Sequence, residues 1–301
     1  MVFGKKKIFC FLCLLILSVC IGFFCFFYVK KSRSYEEISL DLNEYAFPYI
    51  NVFIEEFQYP MVVDLGSRLE MTLQSEYLKQ LSRYPNGQEK WKNFKGNEFV
   101  RSNYKIPEAT IGSIKFENIK VTEEFLEEKD DCTIWSDPSV EKTPQKTVGS
   151  LGRTLFKSTN LLFDVRKSKM IATNNFNKLK DSGYDLKTYL KIPFIANSKG
   201  MVLEVDTDIG NLRLFLDTGF TLTMVREQLY PVFIEKVFDY RGLPTCTLKK
   251  FSIGGRDFGS KDLFFLKMTK DLQEFDGFLG MDFIKDHVIY IDFSKSEIYI
   301  Q

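Results

Sequence analysis

Residues 148–172, VGSLGRTLFKSTNLLFDVRKSKMIA, lie over residues 276–300, DGFLGMDFIKDHVIYIDFSKSEIYI, without a gap and with seven identities: Gly149/Gly277, Leu151/Leu279, Gly152/Gly280, Lys157/Lys285, Asp164/Asp292, Lys167/Lys295 and Ser168/Ser296. Unmatched positions mostly keep their polarity, as at Phe156/Ile284, Phe163/Ile291, Val165/Phe293 and Ile171/Tyr299. A unit used twice constrains the fold more than any composition does, because the chain must place two copies of one supersecondary structure. The correspondence continues upstream. Ile253, Gly254 and Phe258 match Ile111, Gly112 and Phe116, and MVLEVDTDIGNLRLFLDTGFTLTMV meets YINVFIEEFQYPMVVDLGSRLEMTL. In each copy an alternating strand (Val52, Ile54; Leu203, Val205) runs into a polar turn and then an apolar strand (Met61 to Val63; Leu212 to Leu216) that ends on Asp-x-Gly. Asp64 is therefore the partner of Asp217.

Two facing carboxyl groups have a chemistry of their own. Held a few ångströms apart they cannot both ionise, so one keeps its proton, and such a pair supplies a base to activate water and an acid for the departing group. The blocks FLDTG and GFLG in the second copy, and VVDLG and GSLG in the first, resemble the aspartic peptidases of the pepsin/retropepsin type, in a two-lobed, bacterial-type, membrane-anchored form, over about residues 45–301. The resemblance implies an all-β body of two homologous six-stranded-barrel-like lobes, and the apolar run Ile8 to Val29 adds one transmembrane helix before it. It implies Asp64 and Asp217 as the catalytic pair, with Gly66, Ser67, Thr218 and Gly219 supporting their loops. In that family the threonine hydroxyl bonds across to the opposite loop, as Thr218 can and Leu65 cannot. The first lobe alone carries a flap, for which residues 89–106 with Trp91, Phe94 and Gly96 have the position and composition. The expected substrate is a polypeptide, with no cofactor and no metal, and the expected enzyme is a monomeric aspartic endopeptidase. Two other readings stay open: an inactive peptidase fold that binds peptides or proteins, motivated by Leu65, and pairing of Asp217 with its counterpart in a second chain, against which the repeat argues.

The remaining features set boundaries. With 41 basic and 40 acidic residues interleaved over 301 positions, no single-signed surface is implied and no nucleic-acid partner is expected. The 22-residue uncharged run Ile8 to Val29 is long enough to cross a hydrocarbon core of about 30 Å and reads as an uncleaved signal anchor. A lipoprotein-type cut before Cys20 is the lesser reading. Lys5, Lys6 and Lys7 balance Lys30, Lys31 and Arg33, so only segment order places the body outside the cytoplasm, on a single-pass membrane protein. Four of the six cysteines fall in the run, leaving Cys132 and Cys246 as one disulfide or two free thiols. His287 is the sole histidine, which excludes a histidine-based triad and a zinc-protease helix.

The expected organisation is an anchor at 1–34, a tether at 35–44, a first lobe at 45–175, a linker at 176–200 and a second lobe at 201–301. The interval from Gly66 to Gly149 is 83 positions against 58 from Gly219 to Gly277, and the excess is assigned to the flap and to an acidic surface loop at 123–146. Helix is expected to be scarce, at 75–84, within 226–238 and at 186–190.

Overall fold

The computed structural model describes residues 35–43, 45–92, 98–124, 147–196, 200–231, 237–239, 242–268 and 274–301; the side chains of 91 and 92 lie outside that description. The strand Pro48–Ile54 shows why the chain forms sheets. Ile50, Val52 and Ile54 are buried while Asn51 and Phe53 face solvent, a period of two that an extended strand serves and a helix does not. Met201–Thr207 repeats the pattern, with Leu203 and Val205 inside and Glu204 and Asp206 outside. In both copies a two-residue turn, Glu55–Glu56 or Asp208–Ile209, returns the chain into the strand that carries the aspartate loop, Phe57–Asp64 or Gly210–Leu216.

In the first half, eight strands follow one another in the order 41–42, 48–54, 57–64, 149–152, 71–74, 114–124, 98–111 and 84–92. Phe53 pairs with Thr110, bringing the strand Glu98–Ile111 back to Pro48–Ile54, so six of these strands close into a ring. The second half is a ten-stranded sheet whose path runs 237–238, 244–248, 261–266, 224–226, 277–279, 210–216, 201–207, 251–253 and 256–257, with 195–196 added on 201–207. Here the run that corresponds to 98–111 is two strands, Pro244–Leu248 and Phe251–Ile253, parted at Lys249 and Lys250. The Lys249 N–H donates to Asp208 Oδ2 at 3.0 Å, which takes it out of the ladder. One piece pairs with Lys261–Leu266, the other with Met201–Thr207, and the ring is interrupted at that corner.

The expectation of two matching six-stranded barrels behind a transmembrane helix is corrected on both counts. One six-stranded ring closes, and the second sheet is a longer open path because its closing strand is broken. No helix among the described residues is long and apolar enough to cross a membrane; the longest, Phe176–Asp181, has six residues and rises about 9 Å. The apolar residues described are spent at period two on sheet faces. The expected anchor, the membrane attachment through residues 8–29 and the single-pass placement outside the cytoplasm find no such helix to support them, and residues 8–29 themselves lie outside the described residues.

A third sheet joins the halves. Its order is 35–39, 169–173, 161–164, 288–292, 297–300 and 190–193, so each half contributes a hairpin and one flanking strand. Leu162 stands directly opposite Tyr290, and these two occupy the same place in the two copies, so the local two-fold axis passes between them. The repeated Asp-x-x-Lys-Ser is the turn of each hairpin. Asp164 Oδ1 accepts the Lys167 N–H at 3.3 Å and Asp292 Oδ1 accepts the Lys295 N–H at 3.1 Å, after which Ser168 and Ser296 take left-handed φ values of 50° and 55°.

Candidate active site

Each aspartate loop leaves its strand beside a second strand running parallel to it. Asp64 ends Phe57–Asp64 opposite Gly152 of Gly149–Gly152, and Leu216 ends Gly210–Leu216 opposite Leu279 of Gly277–Leu279. The strands Met71–Gln74 and Met224–Arg226 then pair antiparallel with the far side of 149–152 and 277–279. The chain thus leaves each aspartate and comes back around the strand behind it, which fixes the loop from both sides.

The structure brings Asp64, Gly66, Ser67, Asp217, Thr218 and Gly219 together. A Cβ on Gly66 would lie 2.2 Å from Asp217 Oδ2, and one on Gly219 would lie 2.7 Å from Asp64 Oδ1, so each carboxyl group rests against the glycine of the other loop. A side chain at either position would displace the carboxyl group that rests there. The two carboxyl groups hydrogen-bond to each other. The Ser67 N–H donates to Asp64 Oδ1 at 3.0 Å and the Gly219 N–H donates to Asp217 Oδ1 at 2.8 Å. Thr218 makes the crossing tie: its hydroxyl donates to the Val63 carbonyl at 2.6 Å and accepts from the Leu65 N–H at 2.8 Å. Leu65 is fully buried and packs into the core instead.

Burial pushes both carboxyl groups up from the ordinary range. Asp217 is held well above it, by desolvation first and the Asp64 charge second. For Asp64 the desolvation is opposed by the N–H groups of Ser67 and Gly66, by the bond from Asp217 and by Arg153. Asp217 is almost wholly buried while Asp64 is partly exposed. Two carboxyl groups this close and this desolvated resist ionising together, so they titrate as a pair.

Arg153 is the residue that sequence reasoning missed. Its Nη1 donates to the Gly66 carbonyl at 2.6 Å and approaches the Leu65 carbonyl at 3.4 Å, and the guanidinium carbon lies 5.7 Å from the centre of the Phe215 ring. The sequence marks the position but not the contact: Arg153 follows the glycine that packs behind the loop, where the second copy has Met281. Of the expected flap, Tyr84–Lys92 and Glu98–Ile111 form the antiparallel arms of a hairpin, with Trp91 opposite Phe99. The Trp91 side chain, Phe94 and Gly96 lie outside the described residues, as does Cys132. Cys246 is buried as a free thiol. His287 is stacked on Phe283 at 4.2 Å with Nδ1 2.8 Å from the Phe283 carbonyl, a packing arrangement whose burial lowers its pKa. No group of three or more histidine, cysteine or acidic side chains that could hold a metal occurs among the described residues.

No protein-family model and no curated protein matches the chain. A solved structure does: the crystal structure of an aspartic proteinase from Irpex lacteus is similar over 89% of this chain and 97% of its own length, with a TM-score of 0.58 and 14% sequence identity. At that identity the likeness speaks for the fold, which is that of an aspartic proteinase.

Proposed function

We propose that this chain is an aspartic endopeptidase in which each half supplies one aspartate of the catalytic pair. The observation that carries the reading is the meeting of Asp64 and Asp217, hydrogen-bonded to each other and each lodged against the other loop's glycine, with both carboxyl groups pushed up by burial. A water held between them loses a proton to the charged carboxylate as its oxygen bonds to the scissile carbonyl carbon, while the neutral carboxyl group polarises the carbonyl oxygen. Collapse of the tetrahedral species breaks the C–N bond, and the departing amine takes a proton from the pair. The active form holds one proton between two groups, so activity falls on both sides of an acidic optimum. The hairpin formed by 84–92 and 98–111 is assigned the closing role expected of the segment that holds Trp91, Phe94 and Gly96.

The test is cleavage of a diverse peptide mixture by the purified full-length chain from acidic to neutral pH, beside Asp64→Asn and Asp217→Asn. Each substitution is expected to abolish cleavage, and full activity in either variant refutes the pairing. Leu65 favours a second reading, a fold that binds extended peptide without cutting it. Peptide binding without cleavage, with activity gained on Leu65→Thr, identifies that case. An active monomer excludes pairing of Asp217 across two chains.

A further inference from the structure

The two copies depart from each other at two positions that are neighbours in space. After the aspartate, the second copy has Thr218 and the first has Leu65; after the glycine behind the loop, the second has Met281 and the first has Arg153. A threonine at 65 would offer the second loop a hydroxyl like the one Thr218 offers the first. Leu65 offers none. Arg153 instead holds the first loop, that of Asp64, from behind, through the carbonyls of Gly66 and Leu65, while its guanidinium stands over Phe215, two residues before Asp217. Its anchor is thus in one half and its packing partner in the other.

We propose that Arg153 is a positioning residue that ties the Asp64 loop to the second half of the chain in place of the missing hydroxyl at Leu65. The charged groups that face it are Asp64, Asp217 and the like-charged Arg68, whose own side of the loop is exposed. A guanidinium so placed adds an effect no threonine has: it favours the ionised form of both carboxyl groups, lowering the pH at which the pair first gives up a proton. The inference rests on the peptidase reading for its kinetic consequences and on the geometry alone for its effect on the pair.

The experiment compares the full-length chain with Arg153→Met and Arg153→Lys, each alone and with Leu65→Thr. Kinetics are followed against pH, and the carboxyl titrations are followed by carbon NMR. Arg153→Met is expected to lower kcat by about 10- to 100-fold through misplacement of the loop, with KM nearly unchanged, and to move the acid limb of the profile to higher pH. Arg153→Lys keeps the charge without the fork, so it restores the limb while recovering kcat only in part. Leu65→Thr is expected to help Arg153→Met more than it helps the parent chain, a coupling that a merely structural arginine does not produce. Wild-type kcat and limb in Arg153→Met overturn the proposal, and so does equal loss in the Met and Lys variants with no movement of the limb. If the parent chain cleaves nothing, the peptidase reading fails, and the titrations decide Arg153: raised carboxyl values in Arg153→Met support it and unchanged values refute it. If the Met variant does not fold, Arg153→Gln, which keeps a donor without the charge, takes its place with the same expectations.

Discussion

Thr218 carries the best-defined interaction at the pair, since one hydroxyl serves a donor and an acceptor of the opposite loop, both buried. Thr218→Val keeps the shape and removes both bonds, leaving the Leu65 N–H and the Val63 carbonyl without their side-chain partner. The expected loss is about 1–3 kcal/mol, read as a lower thermal midpoint, together with a fall in kcat larger than any rise in KM. Asp217 makes a second prediction, of pH dependence. Its carboxyl group binds a proton more tightly in the folded chain than in the unfolded one, so folding is favoured by this group when it is protonated and penalised when it must ionise. The penalty is absent below the ordinary aspartate value of about 3.9 and grows as pH rises from there toward the raised folded value. Asp217→Asn removes the titration. Its thermal midpoint, relative to the parent chain, is expected to climb as pH rises through that window, whereas a constant offset contradicts a raised Asp217.

At the scale of elements, the repeated glycines behind the loops explain the strongest identities in the sequence. A Cβ on Gly149 would stand 2.1 Å from the Thr72 carbonyl oxygen, and one on Gly277 would stand 2.0 Å from that of Met224. Both obstacles are backbone atoms of strands that are themselves paired, so neither can swing aside. Gly149→Ala and Gly277→Ala are expected to destabilise by about 1–3 kcal/mol or more, measured as a lower denaturant midpoint, with loss of the paired carboxyl titration where the chain stays folded. The mismatches have an equally local cause. On the face that carries Asp64, the row across the sheet is Val62, Ser150, Thr72, Thr122 and Asn103, tied by Thr72–Ser150 and Thr122–Asn103 hydrogen bonds of 2.9 and 2.7 Å. On the face that carries Asp217 the same row reads Phe215, Phe278, Met224, Phe264 and Thr245, and Phe220 stacks on Phe278 at 4.0 Å. One unit was kept for its backbone and changed on the face that carries the aspartate.

At the scale of the whole molecule, the central sheet makes the halves interdependent. Leu161–Asp164 pairs on one side with its own hairpin partner and on the other with Val288–Asp292. The Asn160 amide donates to the buried Tyr290 hydroxyl at 2.9 Å and accepts the Phe293 N–H at 3.1 Å. A fragment ending near residue 175 therefore exposes a strand edge and strands a buried amide. It is expected not to unfold cooperatively alone and to regain a cooperative transition when mixed with the remainder of the chain, as followed by circular dichroism. A cooperative transition of the lone fragment contradicts this.

The amino-acid sequence by itself determined which aspartates meet, because the repeat survives at positions set by local geometry: the glycines that let strands approach, and the Asp-x-x-Lys-Ser turns that need a left-handed serine. The period-two runs likewise made strands legible. The expected pair of equal barrels was not legible, since ring closure turns on whether one strand stays unbroken at Lys249 and Lys250, and a side chain 41 positions away takes the N–H that would continue it. Nor was the role of Arg153, which lies 87 positions from the carbonyl it holds and next to a phenylalanine of the other half. Such contacts leave no period and no spacing in the chain. Only tertiary structure decides them, because they depend on which surfaces the two copies present to each other once their strands are paired.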